Sequence, residues 1–295
     1  MTDIRSTSDR IFDVVNIILI IFAVLITIYP LYFILIASIS SPVYTNIGQV
    51  VLYPRGIMFD GLYMLATTPA IWMGYRNTII YAVLGTSINM FVTIPAAYAL
   101  SRKDFRARKF VSFFFIFTMI FSGGMIPTFI VVMRVGLLDS MFALMIPNAL
   151  SVWNMIVAKA FFDNMPYDMT EAAVMDGCSN TRLFITIILP LSKAMLAVIA
   201  LFYVVGHWNA FFEAMIYLSS RDKFPLQLIL REILILAEMV ATADGGMTDQ
   251  MREMHDLSNL IRYSAVVVST VPLLILYPFV QKYFTQGIMI GAVKG

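Results

Sequence analysis

Apolar and charged positions along this chain fall into long blocks rather than into a short repeat. Uncharged stretches run over 14–54, 77–101, 110–133, 140–158, 194–212 and 263–281. Each is long enough for the roughly 20 residues a helix needs to cross a bilayer. Barrel strands would instead show alternating segments of roughly 10 residues. Backbone groups in lipid must be satisfied internally, so the pattern predicts a helical bundle: an all-α membrane protein with six transmembrane helices. The first run contains Pro30, exceeds the apolar core of about 7 to 15 residues found in a secretory signal and lacks a small-residue cleavage site, so it reads as a retained first helix.

Composition agrees with this. Of 295 residues only 13% are charged and 60% are hydrophobic, and the mean hydropathy is +0.84, values that exclude an ordinary soluble domain. The net charge of +2 is uninformative, but its placement is not. Arg102, Lys103, Arg106, Arg108 and Lys109 crowd the short link between the second and third runs. Basic residues in short links stay on the cytoplasmic side, which places that link and, with six spans, both termini inside. Arg5, Arg10, Lys282 and Lys294 agree with this orientation. The expected organisation is a cytoplasmic segment at 1–13, a membrane domain at 14–286 and a cytoplasmic tail at 287–295. A single cysteine, Cys178, excludes an internal disulfide, and two distant histidines, His207 and His255, argue against a metal site. No nucleic-acid partner is expected.

Two polar interruptions stand out. "FPLQLILREILILAEMV" (224–240) carries Arg231, Glu232 and Glu238, too many charges for a seventh span, and reads as an interfacial or outer-side helix followed by a polar loop. "PYDMTEAAVMDG" (166–177) lies between the fourth and fifth runs. Pro166 stops the preceding helix, Asp168 with Glu171 makes a capping-box pattern, Ala172 and Ala173 favour helix, and Gly177 supplies a left-handed end. Ser179, Asn180 and Thr181 then offer caps for a second helix leading through Pro190. A helix of about two turns is marginal alone and needs a packing partner. Taken alone, the segment could equally be a connector between spans.

The full spacing argues for more than a connector. Glu171-Ala172-Ala173, three residues, Gly177, nine residues, Ile187, one residue, Leu189 and Pro190 resembles the cytoplasmic signature of the membrane subunits of bacterial ABC importers. "YALSRKDF" (98–105), "FSGGMIPTF" (121–129), "WNAFFEAMIYL" (208–218), "PLQLILREI" (225–233) and "YFTQGIMIGAVKG" (283–295) resemble the carbohydrate-uptake branch, permeases related to the second membrane subunit of the maltose transporter. The resemblance implies the type I ABC importer permease fold, with a cytoplasmic coupling helix at about 168–177 between spans four and five. Glu171, Ala172, Ala173, Asp176 and Gly177 would then dock on an ATPase subunit, and the tail residues Val293, Lys294 and Gly295 would reach the same interface. It further implies a second homologous permease, two ATPase subunits that bind ATP and magnesium, and an extracytoplasmic sugar-binding protein.

Polar residues within the spans mark a pathway. Trp208, Asn209, Phe212 and Glu213 combine aromatic faces with hydrogen-bonding groups suited to sugar rings, and Asn209 and Glu213, four apart, are expected to share a helix face. Bracing of the bundle is the competing account for these residues. Gly123, Gly124 and Pro127 predict a break in the third span, and Arg134 lies just beyond it. The chain has no GxxxxGK[ST] loop and so would bind no ATP itself. A proton-coupled secondary transporter using Glu213 and His207 is the alternative, although these residues, six apart, do not share a helix face. No nucleophile-and-base constellation suggests an enzyme.

Overall fold

The computed structural model describes residues 7–242 and 249–292. In chain order its helices are α1 (Thr7–Ser38), α2 (Pro42–Asn46), α3 (Asp60–Thr67), α4 (Pro69–Ser101), α5 (Arg108–Ile120), α6 (Met125–Arg134), α7 (Val152–Asp163), α8 (Tyr167–Met175), α9 (Asn180–Leu183), α10 (Leu189–Leu191), α11 (Lys193–Trp208), α12 (Phe212–Tyr217), α13 (Leu226–Thr242) and α14 (Asp249–Ala292). Among the described residues the one β feature is an isolated antiparallel bridge between Ser40 and Ile57. The predicted all-α class is therefore what the chain adopts.

Three helical segments are long and apolar enough to cross a membrane: Ile11–Ser38, Pro69–Ser101 and Ser258–Pro278. Two further segments are long and apolar enough only as bent pairs of helices. α5 and α6 meet at 112°, and the segment Asn180–Leu191 meets α11 at 83°. The first bend falls at Ser122, Gly123 and Gly124, where Gly124 takes φ +85°, so the predicted break in the third run is present. The second follows a π-helical turn, Phe184–Ile188, and Pro190, which removes a backbone donor and crowds the preceding turn.

The fourth uncharged run departs from a single helix. A 3-10 turn at Met141–Leu144 is followed by irregular backbone containing Pro147 and Asn148, and α7 starts only at Val152, with the Ser151 hydroxyl accepting from the Asn154 amide at 3.3 Å. Twelve residues of helix extend about 18 Å, short of a hydrocarbon core of about 30 Å. Hydropathy alone did not register the break because the residues around Pro147 and Asn148 are apolar.

The chain divides into two compact units, Met1–Pro69 with Arg231–Val271, and Ala70–Leu230 with Pro272–Gly295. In the first, α1 exposes nearly its whole apolar surface, with no residue of its most apolar stretch buried. An uncovered apolar surface of that length belongs against lipid or protein. Its end is tied down by the Tyr29 hydroxyl, which donates to the Val51 carbonyl at 3.3 Å, by a Tyr32 bond to Leu52, and by an edge-on contact of Phe33 with Tyr263 at 5.9 Å.

In the second unit α4 is the spine. Near its start Asn77 Nδ2 donates to the Asp222 and Phe224 carbonyls at 2.7 and 3.0 Å, and the Thr78 hydroxyl accepts from the Leu226 amide at 2.8 Å. Tyr81, Leu144, Met145 and Tyr217 form one apolar core; Ile94, Ala97, Met155, Leu183 and Ile199 form another further along α4. Asn89 lies between these two cores on the same helix.

A second polar anchor sits at Asp139, which holds φ +54°. Its carboxylate accepts from the Ser219 and Ser220 amides at 3.0 and 2.9 Å, from the Ser220 hydroxyl and from Lys223 Nζ at 2.8 Å. The Lys223 ammonium first, then the Ser220 hydroxyl and the two amides, hold this carboxyl well below the usual carboxylate range.

Candidate functional site

The signature stretch folds as α8. Pro166, at φ −57° and ψ 122°, takes the N-cap position, and no side chain caps the helix. The expected Asp168–Glu171 capping box is therefore absent: the helix begins one residue before Asp168, which lies in the first turn and favours the helix through its dipole instead. Glu171 is left exposed, with no hydrogen bond or ion pair among the described residues.

The helix ends as expected at Gly177, with φ +76°. The Cys178 amide donates to the Ala173 carbonyl at 2.9 Å and the Gly177 amide to Val174 at 3.0 Å, the paired bonds of a Schellman cap. Only glycine holds this left-handed turn without strain, and a Cβ there would meet no atom within 4 Å, so the constraint is purely one of backbone. Ser179 then caps α9 by accepting from the Arg182 amide at 3.4 Å.

The two alanines part company. Ala173 is 8% exposed and belongs to the apolar core with Phe162 and Leu183, so it anchors α8 and does not face outward with the rest of the signature. Ala172 is exposed beside Glu171, Val174, Asp176 and Gly177, and Met175, 87% exposed, completes the face. Met175 was not singled out from the sequence, although its spacing from Glu171 and Ala172 places all three on one helix face. The result is a small apolar knob with an acidic rim, held in place from behind by Ala173. Lys103 Nζ over the Tyr167 ring at 4.7 Å adds a second hold.

A cavity of about 490 Å³ occupies the middle of the same unit. Asn89 builds its wall: Nδ2 donates to the Asn148 and Ala149 carbonyls at 2.7 and 2.9 Å, and Oδ1 meets His207 Nε2 at 2.7 Å. Since the amide nitrogen is spent on carbonyls, Nε2 is the protonated nitrogen of His207. Gly85 permits this approach, because a Cβ there would fall 2.4 Å from His207 Nε2. Tyr203 closes the network, its hydroxyl 2.6 Å from that of Thr93 and accepting from the Ser151 amide at 3.0 Å. The irregular backbone of the fourth run thus lines a cavity with the Asn148 and Ala149 carbonyls and the Ser151 amide paired to side chains, the kind of pairing that lets such backbone be tolerated at membrane depth. Asn148, Asn154 and Glu213 also line the cavity, and Glu213 makes no hydrogen bond or ion pair among the described residues.

Of the four predicted pathway residues only Glu213 lines this cavity. Trp208 is buried, 4% exposed, with Tyr75 at 6.3 Å between ring centroids. Asn209 turns back on its own helix, Nδ2 donating to the Val205 carbonyl at 3.0 Å, and Phe212 is exposed. The expected shared face of Asn209 and Glu213 does not exist, because α11 ends at Trp208 and α12 begins at Phe212. Asn89, an amide in the middle of an uncharged run, carries in the sequence the same signal of a polar group at membrane depth as Glu213. Val293, Lys294 and Gly295 lie outside the described residues.

Comparison with known proteins places these features in context. Residues 66–290 match the family described as "Binding-protein-dependent transport system inner membrane component". Protein LplC of Bacillus subtilis (strain 168) is 38% identical over 291 residues, covering 99% of this chain and 97% of that protein. The polygalacturonan/rhamnogalacturonan transport system permease protein YtcP of the same organism is 37% identical over 291 residues, covering 97% of this chain and 99% of that one. Among solved structures, a chain from the crystal structure of a bacterial ABC transporter involved in the import of the acidic polysaccharide alginate superposes with a TM-score of 0.81 at 33% identity, covering 96% of this chain and 100% of that one.

Proposed function

The chain belongs to the family of binding-protein-dependent transport system inner membrane components, and on that premise we propose that it is one half of the pore of an ATP-driven importer carrying an oligosaccharide, released from a polysaccharide, across the bacterial cytoplasmic membrane. It is a multi-pass transport component and not an enzyme. The observation that carries the reading is the exposed face of α8, with Glu171, Ala172 and Met175 outward and Ala173 fixed in the core. A short helix presented in this way suits docking in a cleft of an ATPase subunit. Ala172 allows close approach, Met175 supplies apolar contact and Glu171 offers an uncommitted carboxylate to a basic partner.

In this reading the fourth run crosses the membrane as α7 together with the irregular backbone before it, so that α8, the α4–α5 link and both termini are cytoplasmic, consistent with the basic residues at 102–109. A second homologous permease completes the pore, two ATPase subunits supply the power stroke and an extracytoplasmic binding protein delivers the sugar. A polysaccharide-derived substrate is supported by the names of the relatives, among them YtcP and an arabinooligosaccharide permease of Halalkalibacterium halodurans. The cavity lies within the range of about 300–1,000 Å³ common for ligand pockets, and Asn148, Asn154 and Glu213 are suited to meet sugar hydroxyls there.

The proton-coupled alternative draws no support from the site, since His207 gives its protonated ring nitrogen to Asn89 rather than to Glu213. Uptake of labelled oligosaccharide into cells or loaded vesicles separates the two. Uptake that needs ATP and persists with a protonophore while ATP is held constant is expected; uptake abolished by the protonophore under those conditions would overturn the reading.

A further inference from the structure

A second, smaller cavity of about 100 Å³ lies where the apolar helices end, bounded by the last turn of α4, the first residue of α5, the end of α7 and the start of α8. Two polar atoms at its wall, Arg102 Nη1 and the Tyr98 hydroxyl, are buried with no hydrogen bond at normal geometry, and the interaction between them, guanidinium to phenol oxygen, is a weak one. Neither is free to swing away. Arg102 is clamped by Asp104, with Nε and Nη2 donating to its two oxygens at 2.9 Å each, and Nη2 also reaches Asn180 Oδ1 at 3.4 Å. Tyr98 is stacked on Phe184 at 4.8 Å and meets Phe162 edge-on at 5.6 Å. Leaving a buried donor unmatched is costly, and even with Arg102 turned toward the phenol oxygen the Tyr98 proton has no acceptor, so this small cavity calls for one.

The charge of the cavity says which kind. Lys103 and Arg108 line it beside Arg102, and Arg108 makes no ion pair among the described residues. The one carboxylate on the wall, Asp163, is occupied by Lys159 Nζ at 2.6 Å, and Asp104 is spent on Arg102. Donors and cations converge with no uncommitted acid, which suits a compact oxyanion with several acceptor oxygens. In a membrane-spanning chain this level, where helices end and aromatic rings gather, is that of the lipid headgroups, and basic pockets between helices at that level hold headgroup phosphates.

We propose that this cavity is a phosphate-binding site that ties the α4–α5 link to α8, with Arg102, Lys103, Arg108 and the Tyr98 hydroxyl as its donors. Tyr167 and Thr170 of α8 form part of the same wall, so an occupant braces the root of the signature helix. The inference rests on the chain spanning a membrane and not on the identity of its transport partners.

The test uses the full chain, purified in mild detergent with whatever partners accompany it. One arm adds phosphatidylglycerol and reads retained phospholipid by native mass spectrometry; the other adds inorganic phosphate without lipid and reads the thermal midpoint. Arg108→Ala is compared with Tyr98→Phe and with Arg106→Ala, a basic neighbour off the cavity wall. The proposal expects one arm to respond in the wild type. Loss of one charged donor, in Arg108→Ala, should weaken binding by about tenfold or more, Tyr98→Phe should weaken it in the same arm, and Arg106→Ala should leave it unchanged. Retained lipid identifies a headgroup as the source, and a phosphate-dependent midpoint identifies the free anion. If Arg108→Ala does not accumulate, Tyr98→Phe, which keeps both ring contacts, decides alone: a filled site loses occupancy, whereas an empty one leaves this variant equal to or more stable than the wild type. No response in either arm, or equal responses in all variants, overturns the proposal.

Discussion

Asn89 is the residue on which the central cavity depends. It is fully buried, satisfies two carbonyls of the broken fourth run and fixes the His207 ring. Asn89→Ala strands those carbonyls, and with about 1–3 kcal/mol lost for a buried group left unpaired, a clear drop in the thermal midpoint of the detergent-purified chain is expected. An unchanged midpoint would mean the backbone at 148–149 finds another partner. The role of Asn89 could not be read from its own neighbourhood, because its partners lie 59 and 60 residues away. Asp139 carries a pH-dependent prediction. Its carboxyl is depressed in the folded chain, so its contribution is fully present above the unfolded value of about 3.9 and is lost as pH falls through the folded value. Asp139→Asn should therefore melt earlier than wild type at neutral pH, with the gap narrowing only below pH about 4. A gap that closes between pH 8 and 6 would point to a different titrating group.

At the level of elements, α8 shows which sequence signals survive folding. Gly177 was legible because a left-handed helix end is a local requirement, and the chain meets it with a Schellman cap. The capping box was not, because Pro166, two residues before Asp168, takes the cap position. Asn209 and Glu213 misled for a related reason: their four-residue spacing implies a common face only while the helix continues, and α11 stops at Trp208. The sense of Ala172 and Ala173, one out and one in, follows from which core stands behind α8, and that core is assembled from α4, α7 and the segment after α8. Gly177→Val forces a β-branched residue to φ +76° at a cost of about 1–2 kcal/mol. Because space is available there, the expected result is a reoriented helix end with intact membrane insertion and reduced uptake. Normal uptake in that variant would show that the turn has no part in coupling.

Across the whole molecule, the helical class and most of the spans were legible because lipid imposes long uncharged runs, and α1, α4 and α14 occupy three of those expected. The others are bent or broken, the fourth where its backbone lines a cavity, information that hydropathy does not carry: the Gly123–Gly124 pair is visible as a breaker, but the sequence reads as a helix continuing through Pro190, and Pro147 and Asn148 are hidden inside an apolar stretch. The same geometry separates the two tasks of the chain, with a polar cavity midway along α4 and an exposed helix beyond the core at its end. The claim joining them is that α8 docks on an ATPase. Its most direct test is mass spectrometry of the complex recovered with tagged wild-type chain and with Ala172→Arg, a change on the exposed face that leaves the Ala173 anchor untouched. An ATPase subunit present with the wild type and lost with Ala172→Arg, while the second permease is retained by both, is the predicted result; equal recovery of the ATPase with both chains would contradict the account.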